Sequence, residues 1–96
     1  MLTIVLRLPA SLRAFTGGAG VVAVDLDRGR ADIGALLDRL AVAYPALERR
    51  LRDEQGRLRP HVNVFVGGLN IRDLDQQATA LTDGNEVVIL PAVSGG

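Results

Sequence analysis

The segment Glu86-Val87-Val88-Ile89-Leu90-Pro91-Ala92-Val93-Ser94-Gly95-Gly96 decides how the rest of the chain is read. Its first half follows an Asp83-Gly84 turn signal and is a nearly continuous apolar run, suited to a central strand buried on both faces. Its second half is small and extended. Two terminal residues without Cβ atoms leave the Gly96 carboxylate able to enter a narrow site that would exclude a bulkier end. A firmly held strand would anchor the base of this segment while Ala92 to Gly96 project. At about 3.3 Å per extended residue, these five residues reach on the order of 16 Å into a partner. A Gly-Gly end arises by chance in roughly 0.5% of chains, and Gly17-Gly18 and Gly67-Gly68 show that this chain is richer in glycine than most. The weight of the pair therefore depends on the domain that carries it.

Working outward from that segment, Leu2, Ile4, Leu6 and Leu8 alternate with Thr3, Val5 and Arg7, which predicts a half-buried strand ended by Pro9. The stretch through Gly17-Gly18-Ala19-Gly20 reads as a loop without regular structure. Val21 to Leu26 predicts a second strand with Val22, Val24 and Leu26 on one face. The period then changes: Ile33, Leu36, Leu37, Leu40, Ala43 and Tyr44 share one helical face, Asp32 is placed to cap the N-terminus, and Pro45 stops the helix. Leu47 and Leu51 suggest one further short turn on the same core, and Arg49 to Arg59 reads as an exposed polar loop. Val62, Val64 and Val66 predict a third strand, Gly67-Gly68 a tight turn, and Leu69-Asn70-Ile71 a short return. Leu74 to Leu81 reads as irregular or a turn of helix. The order is β-β-α-β-β-β, with the most apolar strand last and placed beside the first. That is an α+β fold of the β-grasp, or ubiquitin-like, type: a mixed sheet of four to five strands with one main helix packed across it. We expect one domain over residues 1–91 and a flexible Gly-Gly tail over 92–96.

Composition narrows the function. Ninety-six residues with 48% apolar and 23% charged content are ordinary for one globular domain. Eleven basic residues balance eleven acidic ones, so no net field draws the chain to nucleic acid or an anionic membrane. The aromatics, Phe15, Tyr44 and Phe65, are too few for a base-stacking platform. Without cysteine there is no disulfide, thiolate metal site or cysteine nucleophile, and His61 alone cannot build a histidine metal site, so no metal is expected. No secretory signal or membrane-length apolar run is present, and a cytoplasmic location is the expectation. Lysine is absent, every basic residue being Arg. High-GC codon bias accounts for that; it is also compatible with a protein whose activated terminus must not acylate its own copies.

The residues Val62-Asn63-Val64-Phe65-Val66, Asp83-Gly84-Asn85-Glu86-Val87 and Ile89-Leu90-Pro91-Ala92-Val93-Ser94-Gly95-Gly96 together resemble the MoaD/ThiS family of prokaryotic ubiquitin-like sulfur carriers. The segment Gly56-Arg57-Leu58-Arg59-Pro60-His61 is similar to the longer members. The tail is most like that of actinobacterial members serving cysteine biosynthesis. Two departures, Asn85 where the family usually has Asp and Gly67-Gly68 where Asn-Gly or Asn-Asp is usual, touch turn chemistry rather than the tail. The resemblance implies that an ATP-dependent, ubiquitin-activating-like enzyme adenylates Gly96. A sulfur donor then displaces AMP, and the resulting thiocarboxylate delivers sulfur inside a second enzyme. Pro91, Ala92, Val93, Ser94 and Gly95 would be the part of the tail that enters the partner. The chain would be a protein co-substrate with no catalytic residue and no bound cofactor of its own, ATP being used by the activating partner. The sulfur acceptor implied first is a pyridoxal-phosphate-dependent cysteine synthase. The large subunit of molybdopterin synthase follows, then thiamine thiazole synthesis. A modifier forming isopeptide bonds with target lysines shares the first step, and a β-grasp interaction domain with an inert tail is the remaining alternative.

Other features are weaker. Phe65 is out of phase with Val62, Val64 and Val66, so it is either a docking aromatic on the outer sheet face or a residue packed under a loop or the tail. Arg49, Arg50, Arg52, Arg57 and Arg59 are interleaved with Glu48, Asp53 and Glu54, which favours a solvated loop over a basic docking patch. His61 reads as a strand-end residue. Asp25, Asp27, Asp73 and Asp75 read as turn residues.

Overall fold

The computed structural model describes residues 1–91, so the expected projecting tail, 92–96, lies outside the described residues. Five strands form one sheet in the order β2-β1-β5-β3-β4. These are β1 (Leu2–Arg7), β2 (Val21–Leu26), β3 (Val62–Val66), β4 (Leu69–Asn70) and β5 (Glu86–Pro91). β1 pairs antiparallel with β2 and parallel with β5, and β3 pairs antiparallel with both β5 and β4. The last strand is therefore central and lies beside the first, as its apolar run predicts. Two helices, α1 (Ile33–Ala43) and α2 (Pro45–Leu51), cover one face. The architecture is β-grasp.

Alternation sets the core. Leu2, Ile4 and Leu6 of β1, Val22, Val24 and Leu26 of β2, Val62 and Val64 of β3, and Val87 and Ile89 of β5 are all buried under the helices. Ile33, Leu36, Leu37 and Leu40 of α1 meet them from above. The Asp32 carboxylate accepts a hydrogen bond from the Ala35 N–H at 2.7 Å, satisfying an N-terminal donor that the helix cannot pair internally. Ala43, expected on the buried face, is exposed, because α1 ends there and Tyr44 has left helical geometry ahead of Pro45.

Four other expectations are corrected. Ala10–Thr16 is a 3₁₀ helix rather than a shapeless loop; Leu12 and Phe15, three residues apart, pack against the core on its single inner edge. Pro45 ends one helix and begins another, occupying the first-turn position where its missing N–H costs nothing. α2 is thus a full element, and a helix this short holds because Leu47 and Leu51 are completely buried. Arg49 and Arg50 consequently lie on a helix, and Arg52 is largely buried rather than in an exposed loop. Finally, β5 is buried on its inner face only: Leu90 is 44% exposed and Pro91 is open.

The turns carry their own chemistry. Gly67 (φ 58°) and Gly68 (φ 82°) both occupy the left-handed region that a two-residue hairpin requires, so the pair serves as well as Asn-Gly. Asn85 Oδ1 accepts from the Thr82 N–H at 2.7 Å, the same acceptor role an aspartate would fill. Asp83 and Gly84 then bond the two ends of Thr3, which ties the entry to β5 onto β1.

Candidate functional site

β5 ends at Pro91, immediately before residues 92–96, and its placement fixes where that segment begins. It runs between β1 and β3, with Val5, Leu6 and Arg7 in register on one side and all five residues of β3 on the other. Pro91 is opposite Val62 and is the last described residue. It is exposed, and it lies at the rim of a cavity of about 200 Å³ that also touches Ser11, His61, Val62 and Ile89. Proline suits this position because fixed φ stiffens the exit, while its absent N–H matters little at the strand's final residue. Ala92, Val93, Ser94, Gly95 and Gly96 lie outside the described residues.

The sheet face opposite the helices is the second feature. Phe65 is half-buried on this outer face, directly opposite Val88 on β5 and Asn70 on β4. Val88 is also opposite Arg7, and Leu90 is opposite Asn63. Residues in direct register share a face, so Phe65, Val88 and Leu90 form an apolar strip along β5 toward Pro91. Its borders are polar: an Arg7–Glu86 ion pair at 2.7 Å and an Asn70–Asn63 side-chain hydrogen bond at 3.2 Å.

The arginine-rich segment separates into two sides that its sequence does not distinguish. Arg52 is a buried hub. Its Nε donates to Glu48 at 2.9 Å, one Nη to Asp38 at 2.9 Å and the other to Gln77 at 3.2 Å. The hydrogen bond from Arg52 is the main cause that holds the Asp38 carboxyl below its ordinary value; burial opposes it, and a further hydrogen bond from Arg30 adds to the lowering. Asp53 is also lowered, chiefly by the backbone N–H groups of Arg57 and Gln55, which its Oδ1 accepts at 3.0 and 2.9 Å. These carboxylates order the loop before β3. On the other side, Arg49, Arg50, Arg59 and His61 line an open cleft with Phe15 and Ala46. Phe15, in the 3₁₀ helix that periodicity missed, places its ring 5.2 Å from the Arg50 guanidinium.

The remaining acids have structural partners. Asp25 accepts from the Thr3 hydroxyl at 2.8 Å across the β1–β2 pair, so it is a strand residue rather than a turn residue; Asp27 accepts from the Gly29 N–H in the turn that follows. Asp73 lies in a short 3₁₀ turn and Asp75 just before another, both exposed. Among the described residues, no three His, Asp or Glu side chains converge as metal ligands would. No helix among them is long and apolar enough to cross a membrane.

A small β-grasp domain whose central last strand runs into a Gly-Gly segment defines the ubiquitin-like class. The model of the ThiS family matches residues 6–96, and the chain belongs to that family of small ubiquitin-like sulfur carriers and modifiers. It is 35% identical to sulfur carrier protein CysO of Mycobacterium tuberculosis, covering 99% of this chain and all of the relative. The crystal structure of that protein superposes with a TM-score of 0.82, covering 94% of this chain and 99% of the other. Small archaeal modifier protein 3 of Haloferax volcanii is 40% identical over 95% of this chain and 96% of its own. A crystal structure of a BexX/CysO complex from Amycolatopsis orientalis also matches, with a TM-score of 0.81 and 28% identity, over 97% of this chain and 99% of the other. Its relatives are carriers and modifiers, and the one solved in complex meets a protein partner.

Proposed function

We propose that this chain is a sulfur carrier whose Gly96 carboxylate is the reactive group. The carboxylate attacks the α-phosphorus of ATP in an activating enzyme, pyrophosphate leaves, and an acyl-adenylate forms. A sulfur donor then adds at the acyl carbon and AMP departs, leaving a thiocarboxylate. This species delivers its sulfur inside a second enzyme, in our reading a pyridoxal-phosphate-dependent cysteine synthase, with the full-length likeness to CysO as the support. The protein supplies presentation and the partners supply catalysis and nucleotide. The carrying observation is the position of β5, paired with β3 from Val87 to Pro91 and with β1 from Glu86 to Val88, and ending at an exposed Pro91 with Gly95 and Gly96 four and five residues beyond. The apolar strip around Phe65 is the surface by which the partners would dock.

The likeness to an archaeal modifier supports a second reading, in which the same adenylate is captured by a lysine of a target protein. The two differ in the acceptor, so intact mass separates them. Protein isolated from its own cells should carry a gain of roughly 16 Da, sulfur replacing one oxygen, if it is a carrier. High-mass conjugates would mark the modifier instead. Deleting Gly96, or adding one alanine after it, should abolish pathway rescue in either case; rescue by the truncated chain would refute a reactive terminus.

A further inference from the structure

We infer that the cleft walled by Arg49, Arg50, Arg59 and His61 is an electrostatic docking surface for a carboxylate-rich segment of the protein that receives the tail. The inference rests on the reading of Gly96 as a reactive terminus and identifies what guides the tail into its partner.

Charge is the first argument. The chain has no net charge, yet the cleft of about 530 Å³ has no carboxylate among its lining residues. Ion pairs among the described residues engage Arg7, Arg30, Arg52 and Arg57, whereas Arg49, Arg50 and Arg59 have no carboxylate of the described residues within 4.0 Å. Arg49 and Arg59 also border a neighbouring cleft lined by Asp38, Glu48, Asp53 and Glu54, none of them in an ion pair with either arginine. Arg50 and His61 do not border it.

Preorganisation is the second. Arg50 rests over the Phe15 ring, and Arg59 Nε donates to the Arg49 carbonyl at 2.9 Å. Arg72 holds the opposite wall from behind, its guanidinium donating to the Arg59 carbonyl at 3.1 Å and the Val62 carbonyl at 2.6 Å. Cations fixed in advance lose less side-chain freedom when an anion arrives.

Position is the third. Arg50 and His61 also wall the smaller cavity that reaches Pro91, so the Arg50 guanidinium stands beside the residue from which the tail departs. A protein that takes in the tail must close over this region. A tail that enters its partner extended would carry Gly96, and a nucleotide joined to it, on the order of 16 Å from Pro91, which leaves the cleft to the partner's own side chains. Carboxylates bordering the partner's channel fit the charge and the distance. They would steer encounter, and such steering is sensitive to salt.

The test has two arms. In the first, amide resonances of the full chain are followed during titration with hexaglutamate, with inorganic phosphate, and with a single-stranded DNA hexamer. Hexaglutamate should shift residues 46–50 and 59–61, with the effect weakening as salt rises. No shift, an equal shift from phosphate, or stronger binding of the DNA would overturn the proposal. In the second, Arg50→Glu with Arg59→Glu is compared with Arg39→Glu, on the exposed side of α1, in adenylation by the activating enzyme. The double variant should raise KM for the carrier about ten-fold at low salt, with kcat within two-fold. Arg39→Glu should change neither, and Arg50→Gln should show an intermediate KM should the double variant fold poorly. An unchanged KM in the double and the Gln variants would overturn the docking surface. Wild-type protein that binds hexaglutamate at this cleft yet is never adenylated would count for the cleft and against the carrier reading.

Discussion

Phe65 shows how strand phase decides which face of the sheet one side chain occupies. Alternation in β3 turns Val62 and Val64 inward and leaves Phe65 on the outer face, where it is half-buried opposite Val88. Such an aromatic keeps enough contact to be fixed in place and enough exposed ring to anchor a partner. Phe65→Ala should therefore separate folding from docking. We expect a stability loss of roughly 1 kcal/mol by urea unfolding, as befits a half-buried ring. The KM for the carrier in adenylation should rise about ten-fold, the loss typical of a docking anchor. A wild-type KM would remove Phe65 from the docking surface. The alternatives left open by the strand's phase, outer-face aromatic or residue packed under a loop, are decided by register, which depends on residues more than twenty positions away.

At the scale of elements, α2 owes its existence to contacts and not to propensity. Leu47 and Leu51 bury one side, and Arg52 at its C-terminal end joins Glu48, Asp38 on α1 and Gln77 in a 3₁₀ turn. Truncating Arg52 to Ala would leave Glu48 and Asp38 without their shared cation and should cost about 2 kcal/mol in urea unfolding. Acid should act through the same network. The folded Asp38 carboxyl is held below its ordinary value of 3.8, so the unfolded chain takes up that proton first as pH falls. The contribution is thus complete above that value and is lost as pH drops through the lower folded one. Because Asp38 is about half exposed, its share should be below about 1 kcal/mol. Asp38→Asn should match that loss at neutral pH and converge with wild type as pH falls through the lowered folded value. Sequence shows the charges of this region and the i, i+4 spacing of Glu48 and Arg52. It does not show Asp38 and Gln77 closing around them, because those come from other elements.

For the whole molecule, topology and composition bear together on the end that we propose is reactive. β1 and β5 run parallel, with Val5 in register with Glu86, so Met1 lies at the end of the sheet opposite Pro91. At about 3.3 Å per residue that separates them by on the order of 30 Å, roughly twice the reach of the tail. No lysine offers a side-chain amine elsewhere. Incubation with its activating enzyme and ATP should therefore yield no isopeptide-linked oligomers of the chain, as read by denaturing gel and intact mass. Arg39→Lys, which adds one exposed amine, tests whether composition is the cause: oligomers from this variant alone would show that it is. A ladder from the wild type would refute the prediction.

Elements with local signals were legible from the residues alone: strand alternation, the Asp32 cap, the left-handed Gly67-Gly68 turn and the apolar run from Val87 to Ile89. The sequence also carried the resemblance of the tail, since small residues after a buried strand are visible without coordinates. That β5 is buried on one face, that α2 is a full helix and that the Arg52 side chain is largely covered follow from packing between elements. The same packing decided that Arg49, Arg50 and Arg59 face a cleft free of carboxylates, beside a phenylalanine from a helix whose three-residue period is easily lost near a glycine run. The physical reason is distance along the chain. Backbone preference is set by neighbours within a few residues, while ion pairing and burial are set by elements that meet only after the sheet has formed.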